Sequence, residues 1–340
     1  MGRNNKKYRK DLHQQAYERL TSMQAFGESK LHAKRDGTAD GKIFSHQTYA
    51  TYWRHVKYFL KWVKKQHPEC TTLKHAKRYV NEWLQTRVDE GLSAWTIHTE
   101  QAALNKLFGI PPDDPNRFQA PERRREDIKR SRNDVPRDKH FSVSNNLALI
   151  KFVQGTGTRR NVLERLRGDD LWTRTQLQEK LLELEKKKEL SSFETKLFQN
   201  LTEALVLFPE QAYFIHHRKD KGGKSRFAPI IGSNTPEIVE RMRSIPPGEL
   251  VWQHVHDAAD IHGYRGVYAT ALYKKYARDI ASIPYDRINK GSGKQFQSQV
   301  YWCRKDEKHK KLDKAAMYQV SKALGHSRLN VIAEHYIRDL

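Results

Sequence analysis

A mainly α-helical α+β fold with one small β-sheet is what this chain predicts, and three observations carry the prediction. Between Ile43 and Ile110, apolar and aromatic residues recur at threes and fours, the spacing of amphipathic helices. From Ala212 to Ile231, two short apolar runs flank a lysine- and glycine-bearing turn, the pattern of a β-hairpin. At 340 residues, with 37% hydrophobic and 10% aromatic residues, the chain can bury real cores in two or three domains rather than remain a disordered tail.

Taken in order, the first segment to Gly41 is a basic start followed by a helix-like stretch from Asp11 to Phe26 and a polar break, Asp36-Gly37-Thr38-Ala39-Asp40-Gly41. It reads as a small N-terminal arm (1–41) whose helix either packs on its neighbour or stays a mobile tail. Ser45 can cap a helix bearing Tyr49, Tyr52, Trp53, Val56, Phe59, Leu60 and Val63. Thr71 or Thr72 can cap the next, with Ala76, Tyr79, Val80, Trp83 and Leu84. Ser93 precedes a third, with Ile97, Ala102, Ala103, Leu104 and Leu107, ended by Gly109 and stopped by Pro111-Pro112. These aromatics read as core rather than as platforms for bases. The opposite faces carry Arg54, His55, Lys57, Lys61, Lys64, Lys65, Lys74, Lys77 and Arg78, a solvated surface or a set of phosphate contacts.

Residues 111–140 bear prolines and dense charge without apolar periodicity, a linker composition. Within them, Arg123-Arg124-Arg125 and Lys129-Arg130-Ser131-Arg132 could follow a phosphate backbone. The remaining region, 141–340, contains the hairpin, a short helix expected after Arg160 with Leu163 and Leu166 on one face, and a helical run through Val267 to Tyr273. Two stretches look like insertions: a charged helical pattern from Thr173 to Leu207 and a polar, basic one from Pro284 to Lys311.

Lys and Arg number 63 against 40 Asp and Glu, a net charge of +23, which suits a polyanion; a basic protein with no particular partner, or one with ribosomal and RNA partners, would share this composition. Only Cys70 and Cys303 are present, far apart, so neither a disulfide framework nor a zinc site is indicated. No apolar run approaches a membrane span, and the basic start Met1 to Lys7 lacks the apolar core of a signal peptide. A reducing cytoplasm, with association to the nucleoid, is the expected setting.

The chemistry-bearing residues fall in four segments. Thr156-Gly157-Thr158-Arg159-Arg160 opens a helix, and Lys221-Gly222-Gly223-Lys224-Ser225-Arg226 occupies the hairpin turn. His262-Gly263-Tyr264-Arg265 follows, and then Leu324-Gly325-His326 with Tyr336 ten positions beyond the histidine. Phosphoryl chemistry on a nucleic-acid backbone needs cations on the non-bridging oxygens and an acid for the leaving oxygen. A tyrosine hydroxyl, of reference pKa about 10, needs such a cluster to act as a nucleophile. Each motif alone is weak; their joint presence in this order is specific.

At these residues the chain resembles the tyrosine recombinases, or phage-type integrases. The motif match covers roughly 140–340, and over 42–110 the likeness is architectural. The resemblance implies a helical N-terminal core-binding domain gripping DNA opposite a mixed α/β catalytic domain, and a site-specific recombinase or integrase working for a mobile element. It implies no metal and no other cofactor, with a tetramer assembling on two duplexes; whether the free protein is a monomer stays open. By the same resemblance Tyr336 is the nucleophile that forms a 3′-phosphotyrosyl link. Arg159 and Arg265 would hold the phosphate, Lys221 would protonate the 5′ oxygen, His262 would act as acid and base, and His326 would hydrogen-bond the phosphate.

Lys219 and Lys224 rival Lys221, while Arg160 reads as a bystander of Arg159. Tyr268, Tyr301 and Tyr318 would serve as nucleophiles on chemistry alone, but none follows Leu-Gly-His. Lys224 joins Arg54, Lys57, Lys61, Lys77, Arg123, Arg124 and Arg125 as expected DNA contacts. Three departures from the family stand out. The His326-to-Tyr336 spacing is one residue longer than the commonest pattern. Val162 stands where a glutamate often supports the first arginine, leaving Glu164 or Asp169 as substitutes. Only four residues follow Tyr336, too few for an exchanged C-terminal helix. Relaxation in the manner of a type IB topoisomerase, or a catalytically silent DNA-binding factor, are the alternative functions.

Overall fold

The computed structural model describes residues 10–124, 141–221, 223–283, 299–303, 309–337 and 340. It divides into two compact units, Met1–Ile128 and Lys129–Leu340. Together they form a mainly helical α+β protein with small antiparallel sheets. Among the described residues no helix is long and apolar enough to cross a membrane.

The first unit contains α1 (Leu12–Thr21), α2 (Lys30–Arg35), α3 (His46–Gln66), α4 (Leu73–Ala76), α5 (Val80–Asp89) and α6 (Ala94–Phe108). Their starts are set by side-chain caps: Asp11, Ser45, Thr72 and Ser93 each accept a first-turn backbone N–H. Gly109 ends α6 in the left-handed region, at φ +61°. Val56, Phe59, Leu60 and Val63 from α3 meet Val80, Trp83 and Leu84 from α5 and Ala103, Leu104 and Leu107 from α6 in one core. Ala16 and Leu20 of α1 lie fully inside that same core, and Arg19 donates to the Leu107 carbonyl at 2.5 Å. The helix of the arm thus packs on its neighbours.

Two details depart from expectation. The single helix read from Thr72 to Leu84 is broken by a 3-10 turn at Lys77–Tyr79, which places the Tyr79 ring on His67, with centroids 3.7 Å apart. His55, expected on the solvent face, turns inward and lies 3.3 Å from Glu100, a carboxylate only 1% exposed that also pairs with Arg87. A buried carboxylate needs such partners, and this one recruits His55 from the neighbouring helix. Arg54, Lys57, Lys61 and Lys77 are exposed as expected. Arg123 lies over the Trp95 ring at 5.0 Å and Arg124 lies 3.8 Å from Glu122; Arg125 falls outside the described residues.

The second unit is built around α12 (Ile261–Tyr276), with α7 (Leu147–Thr156), α8 (Arg160–Leu163), α9 (Arg174–Glu185), α10 (Ser192–Leu207), α11 (Thr235–Ser244), α13 (Lys314–Leu324) and α14 (Leu329–His335). The expected hairpin is present as β2 (Tyr213–His217) and β3 (Arg226–Pro229), paired Ile215 to Ala228 and His217 to Arg226. A three-residue strand, β1 (Leu171–Thr173), adds to β2 and extends the sheet. The helix expected after Arg160 is a single turn followed by a 3-10 turn at Gly168–Asp170.

The charged pattern from Thr173 to Leu207 forms a helical pair, α9 and α10, started by capping boxes at Thr173 and Ser191. It is no loose surface insertion. Leu177, Leu184, Leu201 and Ala204 form its apolar stripe and join Phe208, Phe214, Leu272 and Met317 in the core. The second expected insertion holds β4 (Val300–Trp302), which pairs antiparallel with β5 (Lys311–Asp313), the strand that starts at the insertion's last residue; residues 284–298 and 304–308 fall outside the described residues.

Candidate active site

Gly157 and Gly325 shape the site because their positions admit no side chain. Gly157 ends α7 at φ +61°, and a Cβ there would lie 2.6 Å from Tyr268 Cε1. Gly325 ends α13 at φ +73°, and a Cβ there would lie 2.8 Å from Arg226 Cζ. Each glycine lets the chain reverse tightly, so that Arg159 and His326 emerge next to each other.

The four motif segments converge here. Arg159 caps α8, and its Nη2 lies 3.3 Å from His326 Nε2. His326 Nε2 in turn lies 3.3 Å from the Tyr336 hydroxyl. Tyr336 ends α14 at 7% exposure, and its ring centroid is 4.9 Å from that of His262 and 5.2 Å from that of His326. Arg265, on the inner face of α12 and 2% exposed, places its guanidinium carbon 5.5 Å from the Tyr336 ring centroid. It donates to the carbonyls of Gly157 and Leu324, which ties the first and last motifs together. His262 is exposed in the first turn of α12, which Asp260 caps. Despite the lengthened spacing, Tyr336 therefore reaches His326 directly.

Lys221 enters the cluster through its backbone. It is exposed in the hairpin turn, and its N–H donates to Asp220 Oδ1 at 2.6 Å. Lys219 and Lys224 are exposed on the same turn. Lys224, Arg218, Tyr318, His326 and Ser327 line an open cleft of about 870 Å³.

Electrostatics follow from the burial of so many cations. His326 is pushed down to about 3, first by burial and then by Arg159, Arg265 and Arg226, so its imidazole is neutral at neutral pH. Burial also lowers Arg265, and it lowers Arg226 to about 10. Asp220 is held below the usual carboxylate range: burial opposes this, but Arg226 and Arg159 outweigh it. Three guanidiniums (Arg159, Arg226, Arg265) around one carboxylate (Asp220) leave an excess of two positive charges. That excess matches a phosphate diester gaining charge in a transition state.

Asp220 had no place in the sequence reading, and Arg226 was given no role there. Asp220, only 3% exposed, accepts from both Arg159 and Arg226. It supplies the support that Glu164 or Asp169 was expected to give; Glu164 is exposed, and Asp169 pairs with Arg218 at 2.6 Å. Arg226 also donates to Ala323 O at 2.9 Å and lies 3.0 Å from His217 Nδ1. Both Asp220 and Arg226 border the lysine motif, a signal that could have drawn attention to them. Arg160 is no idle bystander, since it donates to the carbonyls of Val255, His256, Asp257 and Ala259 and so holds the loop leading into α12.

The rival tyrosines have other work. Tyr268 is fully buried and donates to Pro229 O at 2.8 Å, and burial raises its pKa. Tyr318 is exposed, its ring 5.2 Å from the Lys322 amine, and Tyr301 lies in β4 opposite Leu312.

Residues 41–110 match the family described as phage integrase, N-terminal SAM-like domain. No curated protein matches the sequence. Among solved structures, the chain is similar to the XerA recombinase, at 14% identity and a TM-score of 0.26 over 95% of each chain. It is also similar to the Tn1549 transposon integrase (residues 82–397) in complex with circular intermediate DNA. That match has 12% identity and a TM-score of 0.36, over 91% of this chain and 94% of the other. The family match covers the part of the first unit that holds α3 to α6.

Proposed function

We propose that this protein is a site-specific DNA recombinase that cuts and rejoins strands through a 3′-phosphotyrosyl intermediate, in the service of a mobile element. The observation that carries the reading is the Tyr336 hydroxyl 3.3 Å from His326 Nε2, with Arg159 bridging to the same nitrogen and Arg265 over the tyrosine ring. Residues 42–110 act as the core-binding DNA contact, 111–140 as the linker and 141–340 as the catalytic domain.

In cleavage, the Tyr336 oxygen attacks the scissile phosphorus, forming a P–O bond as the bond to the 5′ oxygen breaks. Arg159 and Arg265 donate paired hydrogen bonds to the non-bridging oxygens, where charge accumulates. His262, beside the tyrosine ring, takes the phenol proton, and Lys221 gives one to the departing 5′ oxygen. Neutral His326 donates a ring N–H to the phosphate. The new phosphodiester to tyrosine keeps the energy of the broken one. Ligation is therefore the same steps reversed with another strand's 5′-hydroxyl, without ATP. A tetramer on two duplexes, acting on DNA in the cytoplasm, completes the reading.

The test is a nicked duplex from which the cleaved end diffuses away, trapping the adduct. The parent protein should become covalently attached to DNA, and Tyr336→Phe should lose the adduct while still binding DNA. An adduct that survives Tyr336→Phe overturns the nucleophile assignment. Relaxation of supercoils without strand exchange between two defined duplexes would mark a topoisomerase instead.

A further inference from the structure

Asp220 is a buried carboxylate with both oxygens committed. Its Oδ2 accepts from Arg159 and Arg226, and its Oδ1 accepts the Lys221 backbone N–H at 2.6 Å. The turn closes on the same residue: Asp220 N–H donates to Lys224 O at 2.7 Å, and Gly223 N–H donates to Asp220 O at 2.9 Å. Arg226 then carries the link to the end of α13, through Ala323 O, three residues before His326. One side chain thus joins the lysine turn, the start of α8 and, through Arg226, the Leu-Gly-His segment.

We propose that Asp220 is a positioning residue that locks the Lys221 turn in register with the phosphate held by Arg159. Proton delivery to the leaving oxygen and charge stabilisation on the phosphate then share one fixed geometry. The proposal rests on the strand-cleavage reading above. An exposed lysine on an untethered turn samples many positions, and displacement by about 1 Å costs on the order of 100-fold in rate. A simple ion pair would neutralise Arg159. Here one carboxylate is shared between two guanidiniums, so orientation is supplied while the net positive charge remains for the phosphate.

The experiment uses the full chain and the DNA sequence recovered from the parent protein's own adduct, remade as a nicked duplex with either oxygen or sulfur at the scissile 5′ position. A thiolate leaves without being protonated, so sulfur bypasses the acid. If the parent forms no adduct, the cleavage reading itself fails, which separates that outcome from failure of this proposal. Asp220→Asn should slow adduct formation on the oxygen duplex by about 100-fold, and sulfur should restore about tenfold or more, the same rescue expected for Lys221→Ala. Arg159→Lys should gain no such rescue. Asp220→Glu, which retains the charge, is read in the same way should the asparagine variant fail to fold. Equal defects on oxygen and sulfur, or a parental rate on the oxygen duplex, overturn the proposal.

Discussion

The Tyr336 hydroxyl and His326 Nε2 lie 3.3 Å apart, and the same nitrogen faces Arg159 Nη2 at 3.3 Å. With its proton on Nε2, the neutral imidazole donates to the Tyr336 oxygen and can redirect that N–H to a phosphate entering beside it. His326→Ala should therefore slow covalent adduct formation by about 100-fold, the usual cost of losing a donor at a transition state, while DNA affinity is kept. Single-turnover trapping beside a binding titration separates the two, and an unchanged trapping rate would remove His326 from the chemistry.

The histidines make acid stability a second expectation. Burial lowers His216 to about 4, His326 to about 3 and His217 well below its usual value of 6.5. Between those values and 6.5, the unfolded chain binds protons that the folded chain does not. Stability therefore rises with pH across that window and falls as pH drops below about 6.5. Urea midpoints measured at pH 7 and pH 5 should show the loss, and His216→Gln should flatten it. A midpoint insensitive to pH across this range would contradict the burial argument.

Gly157 admits no other residue for two reasons, its φ of +61° and the Tyr268 ring against it. Gly157→Ala should cost about 2–4 kcal/mol, from left-handed strain and overpacking combined. Because the Gly157 carbonyl receives Arg265, adduct formation should fall more steeply than stability alone implies. Thermal unfolding alongside trapping at a temperature where the variant stays folded checks both halves.

The parts of this site that could be read from the sequence are those whose role is written in a few adjacent residues. A Thr-Gly-x-Arg turn or a Leu-Gly-His cap has its backbone requirement beside its functional group, so Arg159 and His326 stand out. Tyr336 stands out by distance from that cap. Asp220 does not, because it matters through Arg159, 61 positions away, and Arg226, whose direction depends on how β2 and β3 pair. The strand alternation that might have pointed Arg226 inward is absent, since all four residues of β3 are buried. β1 and β4, each three residues long, are too short to carry a period. His55 misleads for a related reason: helical spacing places it among the lysines, but the buried charge of Glu100 draws it in.

In the first unit, Leu20 is fully buried among residues of α3, α5 and α6. Leu20→Ala should destabilise this unit by about 2–5 kcal/mol through the cavity it leaves. Denaturant unfolding of the parent and variant gives the comparison; a cost under about 0.5 kcal/mol would mean that the α1 helix is dispensable to this core.

Arg54, Lys57, Lys61 and Lys77 are exposed on the first unit, and Lys57 keeps its amine near the Trp53 ring at 6.0 Å. Under the proposed function they meet phosphates, and each such contact releases counterions from the duplex. The dependence of log affinity on log salt should therefore be steep for the parent protein, and each substitution to Gln should lower the slope by about one. The loss should be nearly uniform across DNA sequences, because phosphates carry no base identity. Fluorescence titrations at four or more salt concentrations, on a preferred and a scrambled duplex, measure both quantities. A slope unchanged in the fourfold variant would assign these residues to a solvated face and move DNA contact to other basic surfaces of the chain.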